Sequence, residues 1–171
     1  DKPDLRIPLE LLEISDEAKN EEFKVFSDPA KNDGSRVVAL KVEEGNKLTR
    51  SQIDDYTNFV GKLGAKGLAY IKINDVADLD NGLQSPIIKF LSKDFISALF
   101  TKLNPKNDDL IFFGAGSSDI VNLSMSSLIK KLGKDLDLYQ REWAPCWITN
   151  FPMFENDAGD LKALHHPFTR P

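Results

Sequence analysis

The chain is poor in the residues that most often carry covalent or metal chemistry. It has one cysteine, Cys146, and two histidines in 171 residues. A single cysteine excludes an internal disulfide and fits a reducing compartment. No charge partner flanks Cys146, so it is expected to be a small apolar residue in a buried strand. No apolar run approaches the ~20 residues needed to cross a bilayer as a helix. The first residues, Asp1-Lys-Pro-Asp-Leu-Arg6, lack signal-peptide character and an initiator methionine, which leads to the expectation of a segment from a longer product. Basic excess is missing too. The formal net charge is −5, and neither the middle of the chain nor its flanks offers the clustered Lys and Arg of a phosphate-backbone platform.

What is present suffices for a core. Hydrophobic residues make up 41% and charged residues 29%, the balance of an ordinary globular protein. Three parts are visible, predicted as 1–15, 16–140 and 141–171. The first has turn chemistry at Lys2-Pro3-Asp4 and an apolar stretch from Leu9 to Ile14. The second alternates strands and helices. Phe23–Phe26 reads as a short strand and Asp28–Gly34 as a breaker-rich loop. Arg36–Val42, Leu68–Ile73 and Leu110–Phe113 read as strands.

Thr49-x-x-Gln52 has the form of a capping box. Ile53, Tyr56, Val60 and Leu63 follow at spacings of 3, 4 and 3, one apolar helix face closed by Gly64. Phe95, Ile96, Leu99, Phe100 and Leu103 form a second helical stripe, ended at Asn104-Pro105. A long helix is predicted from about Ser118, with Val121, Met125, Leu128 and Leu132 inward and Gly133 as its stop. This alternation predicts an α+β fold, a sheet with helices packed on one face, with helices crossing between strands.

Several groups of residues invite a chemical reading. Gly114-Ala-Gly116-Ser-Ser118 joins a strand to a helix, the setting of a phosphate cradle. A third glycine and a following lysine are missing, and Asp119 repels an anion, so a tight turn with a serine cap is favoured. The acidic pairs Glu43-Glu44, Asp54-Asp55 and Asp108-Asp109 and the stretch Asp75–Asp80 lack calcium-loop spacing. They read as solvated loops and helix starts. His165 and His166 are adjacent, so on an extended segment they point to opposite sides and do not readily share one metal. One histidine donating into a substrate pocket from a proline-stiffened loop is the more plausible role. No nucleophile-elbow or Ser-His-Asp pattern is present.

Three strings carry a resemblance that runs the length of the chain. They are Asp1-Lys-Pro-Asp-Leu-Arg6; Tyr56-x-x-Phe59-Val60-x-x-x-Gly64-Ala65-Lys66-Gly67-Leu68-Ala69-Tyr70-Ile71-Lys72; and Phe151-Pro-Met-Phe-Glu155 with His165-His166-Pro-Phe-Thr-x-Pro171. Together they resemble bacterial-type aspartyl-tRNA synthetase, a class II enzyme whose catalytic domain carries a large insertion, the GAD domain. The resemblance implies that 16–140 is the insertion and that 1–15 and 141–171 are extended stubs of the catalytic core. It implies a parent that activates L-aspartate with ATP and magnesium and transfers it to tRNA(Asp), as a cytoplasmic homodimer.

His165 falls on the family's aspartate contact, with His166 beside it. No catalytic, cofactor-binding or metal-ligating residue is expected within this chain, because the phosphate-clamping arginine and the magnesium carboxylate match nothing in it. The isolated chain is therefore expected to be inactive. Asn150 departs from the family, which usually has Asp before Phe-Pro-Met-Phe-Glu. The alternative is a stand-alone ferredoxin-like binding module related to tRNA-dependent amidotransferase subunits. A metal-dependent hydrolase using His165, His166 and nearby acids is a further rival.

Overall fold

Two strands dominate the architecture. The computed structural model describes residues 3–157 and 159–164. Strand β2 (Ser35–Val42) pairs antiparallel with β5 (Leu110–Ser117) over eight residues, from Ser35 opposite Ser117 to Val42 opposite Leu110. Around this pair stand β1 (Leu11–Glu13), β3 (Ala69–Ile73) and β4 (Leu83–Gln84), giving the order β1-β2-β5-β3-β4 with every neighbour antiparallel. Two antiparallel steps make β2 and β3 parallel to each other, with β5 inserted between them. The helix connecting them, α3 (Arg50–Gly61), is thus the crossover of a split βαβ unit. β1 and Ile14, both in the N-terminal part, pack into this same unit.

The α+β fold class holds, but the expected single covered face does not. Successive strand side chains alternate sides. In β2, Val37, Val38, Ala39 and Leu40 are all fully buried, so both sides of the sheet are covered. Val37, Ala39, Ile111 and Phe113 join α1 (Ser15–Ala18), α2 (Lys24–Lys31) and α4 (Lys93–Leu103) through Ala18, Phe26, Phe95 and Leu99. Val38, Leu40, Leu110 and Phe112 join α3 and α5 (Ser118–Asp135) through Ile53, Tyr56, Met125 and Leu128. The molecule is a three-layer helix–sheet–helix sandwich.

Three local expectations are corrected. Phe23–Phe26 is not a strand. The segment opens α2, which runs on through Pro29. Proline has no N–H to donate to the carbonyl one turn back, that of Val25, a residue exposed enough for water to substitute. Spacings of two or three residues do not discriminate strand from helix here, and Phe26 is buried by tilting against Phe95 and Phe113. Gly133 does not stop α5. It lies inside the helix because Ile7 occupies the space of its missing side chain. The Gly114–Ser118 turn is also absent, since β5 runs unbroken to Ser117 and α5 starts at the next residue.

Other signals are borne out. Thr49 Oγ1 accepts from Gln52 N at 3.3 Å, and Gln52 Oε1 accepts from Thr49 N at 2.9 Å, closing the box at the start of α3. Ile53, Tyr56 and Val60 are buried and Leu63 half-buried. Gly64 has φ of +95°, a conformation that a side chain would strain. Asn104 takes the left-handed C-cap of α4.

Candidate functional site

The ends of the layered unit meet. Arg6 O accepts a hydrogen bond from Gln140 N at 2.9 Å. The Arg6 guanidinium lies 5.0 Å from the centre of the Tyr139 ring, a cation–π geometry. It also donates to both oxygens of Asp4, at 2.8 and 2.7 Å. Those bonds to Arg6 hold the Asp4 carboxyl at a pKa of about 2, outweighing the opposing desolvation. One residue on, Ile7 is buried against Gly133. The backbone therefore enters and leaves the sandwich at one place. No local signal in the sequence points to this pairing, because Arg6 and Gln140 lie at opposite ends of the folding unit.

Beyond Gln140 the chain changes character. From Trp143 to Met153 it forms no helix or strand. Trp147 is 95% exposed and Trp143 79%, and Ile148, Met153 and Leu161 are also open. Cys146 is exposed and outside any strand, which corrects the expectation of a buried strand position. Its neighbours Trp143 and Trp147 are the most open of these side chains. A two-stranded hairpin follows, β6 (Phe154–Asp157) paired with β7 (Asp160–Ala163), with Leu164 N donating to Met153 O at 2.9 Å. An isolated hairpin of this size is marginal in water unless a further sheet or layer supports it. His165 and His166 lie outside the described residues, so their geometry forms no part of the site drawn here.

The remaining sequence candidates have local roles. The Gly114-Ala-Gly116 backbone sits in the ladder, with Gly114 opposite Val38 and Gly116 opposite Arg36, so no loop cradles a phosphate. Ser117 makes no side-chain cap, and Ser118 N instead donates to Gly34 O at 2.9 Å. The expected serine cap is thereby replaced by a backbone bond from the α2–β2 connection. Gly114 serves packing: a Cβ there would stand 2.7 Å from Met125 Cγ and 3.2 Å from Val38 Cγ2.

Among the acidic groups, Asp109 is buried and accepts from Glu44 N at 3.2 Å and Lys106 N at 2.8 Å. Glu44 pairs with Lys47. Asp78 accepts from the backbone and side-chain N–H groups of Asn81 and, more weakly in effect, from Asp80 N, and these bonds lower its pKa. Among the described residues no group of three or more His, Cys, Asp or Glu is arranged to hold a metal ion. None of their helices is long and apolar enough to cross a membrane.

Comparison with known families gives a match over more than half of the chain. A family model described as GAD domain covers residues 26–125. That stretch runs from inside α2, through β2, β3, β4 and β5, to the middle of α5, and so contains most of both helical layers.

Proposed function

The chain belongs to the GAD domain family, and from that premise we propose that it is the inserted domain of an aspartate–tRNA ligase with catalytic-core segments at both ends. GAD domains occur in aspartyl- and lysyl-tRNA synthetases and related proteins, so a class II synthetase is the family context. The observation that carries the insertion is the Gln140 N to Arg6 O bond, because a domain entered and left at one point can interrupt another without disturbing it. The open apolar stretch from Trp143 and the unsupported β6–β7 hairpin agree with a segment meant to complete another sheet.

On this reading the parent joins L-aspartate to the α-phosphate of ATP, releasing pyrophosphate. It then transfers the aspartyl group from that adenylate to the terminal ribose of tRNA(Asp), releasing AMP. His165 contacts the aspartate, with His166 shaping the same loop. ATP and magnesium are held by residues outside this chain, and the parent acts in the cytoplasm as a homodimer. The insertion packs near the active-site cleft and influences docking of the tRNA acceptor end or domain motion. A stand-alone binding module, the rival reading, has no use for an exposed segment as apolar as 143–154.

The test is pyrophosphate exchange and tRNA charging, comparing this chain with the longer protein extended at both ends, using aspartate and lysine as competing substrates. The expected result is aspartate-dependent activity in the longer protein alone. Lysine-dependent activity would move the assignment to the sister specificity, and activity with neither would favour the binding module.

A further inference from the structure

A cleft of about 850 Å³ lies on the face of the molecule formed by α1, α2 and α4, away from the Arg6–Gln140 junction. Its apolar wall is made by Phe23, Phe90, Leu91 and Phe95. The Phe23 and Phe90 rings are stacked, 5.7 Å apart and 8° from parallel, and Phe90 is still 50% exposed. Around this wall stand five carboxylates, Asp16, Glu17, Glu21, Glu22 and Asp94, against two lysines, Lys24 and Lys89.

Three of these groups have fixed duties, the first being Asp16, which pairs with Lys19 at 2.7 Å. Glu21 accepts from Ser92 N at 2.9 Å and from its hydroxyl at 2.5 Å, bracing the start of α4. Glu17 takes Lys102 on one oxygen at 2.7 Å, while its other oxygen is shut off from solvent with no hydrogen-bond partner among the described residues. A shielded acceptor without a donor is an uncompensated cost. The side chains of Glu22 and Asp94 make no ion pair or hydrogen bond among the described residues. The Phe90 ring already receives one cation, with Lys89 Nζ 4.9 Å from its centre.

We propose that this cleft is a docking site for a basic segment of a partner protein, whose arginine or lysine side chains lay their apolar stems on Phe23 and Phe90 and turn their charged ends to Glu22 and Asp94. Charge complementarity selects this occupant. Asp16 and Glu17 are already paired with Lys19 and Lys102, but Glu21, Glu22 and Asp94 have no ion-pair partner among the described residues and repel the phosphates of RNA or of an anionic membrane, whereas guanidinium and ammonium groups gain both these carboxylates and the aromatic faces. The volume is several times that of one side chain, which suits a chain segment rather than a free small amine. This inference stands apart from the ligase reading and survives or fails independently of it.

The test is a titration of the ¹⁵N-labelled full chain, followed by amide shifts, with three probes at equal ionic strength. They are a blocked peptide alternating leucine and arginine, the same peptide with citrulline for arginine, and agmatine. The arginine peptide is expected to shift amides of 16–24 and 89–98 saturably, and citrulline to weaken binding at least tenfold. Phe90→Ala and Glu22→Gln should each weaken it at least fivefold while the far-ultraviolet spectrum stays unchanged, and Glu22→Gln, at an exposed position, should also leave the melting temperature unchanged. Unsaturable or scattered shifts, equal binding of the citrulline peptide, or indifference to both substitutions would overturn the proposal. Agmatine binding as tightly as the peptide would also overturn it, by making the cleft a small-amine site.

Discussion

Gly133 of α5 and Ile7 of the entering segment occupy one space: a Cβ on Gly133 would stand 2.5 Å from Ile7 Cδ1 and 2.8 Å from its Cγ1. Glycine within a helix costs about 1 kcal/mol relative to alanine. Gly133→Ala is nonetheless expected to destabilise, because forcing a buried, β-branched side chain aside costs about 1–3 kcal/mol. A lower urea midpoint would be accompanied by faster amide exchange near Ile7. A rise in stability would mean that Ile7 moves away freely.

The box at the start of α3 is a local device. Thr49→Ala is expected to cost about 1 kcal/mol, since it leaves the Gln52 N–H without its acceptor. Adding Gln52→Ala should cost less than the sum of the single changes, because the two side chains bond reciprocally. A double-mutant cycle by urea denaturation measures this coupling, and simple additivity would remove it.

Asp109, only 2% exposed, ties the β2–α3 connection to the loop before β5 through Glu44 N and Lys106 N. Glu44 is in the left-handed region, with φ of 51°, so that acceptor also steadies an uncommon backbone conformation. Asp109→Ala leaves two N–H groups without this partner, and a loss of about 2–4 kcal/mol is expected. Asp109→Asn, which keeps an acceptor oxygen, should recover part of it. Equal losses in thermal or urea unfolding would point to packing instead.

Tyr56 should shape the alkaline limit of stability. Its burial, and then the nearby Asp135 carboxylate, push the phenol up to about 12 from an ordinary value of 10.0. Lys131 sits over both the Tyr56 and Phe59 rings and pairs with Asp135 at 2.9 Å. The unfolded chain loses the phenol proton first, so the stability tied to Tyr56 is fully present below pH 10.0 and is lost as pH rises through about 12. Tyr56→Phe is expected to flatten this fall in unfolding experiments between pH 9 and 12. Superimposable pH profiles would assign the decline to other groups.

In the longer protein, His165→Ala is expected to raise the aspartate KM in pyrophosphate exchange by roughly tenfold or more, with the ATP KM little changed. The imidazole would contact aspartate alone. Equal loss of both would remove the substrate contact from His165.

Much of the secondary structure was legible because its signals are short-range. Thr49 and Gln52 are one helical turn apart, so capping stereochemistry identifies the start of α3 wherever it packs. Ile53, Tyr56 and Val60 need only the 3.6-residue repeat. The second covered face was legible in principle, since the unbroken run Val37-Val38-Ala39-Leu40 leaves no polar side to the strand. The Phe23–Phe26 segment was ambiguous on spacing alone and took its state from Phe95 and Phe113, far along the chain. The candidate site was less legible still: the resemblance supplied His165 and His166, which lie outside the described residues, and no pattern pointed to the cleft between Phe23 and Phe90.

Composition and local stereochemistry thus settled the α+β class, the start of α3, the end of α4 and the core stripes, because those depend on a few neighbouring dihedrals and on the periodicity of apolar side chains. The strand order with β5 between β2 and β3, the place of Gly133 within α5 and the meeting of Arg6 with Gln140 depended on the folded whole. Each arises from burial shared among residues tens of positions apart, and that sum is taken only when the sheet and its two helical layers are assembled.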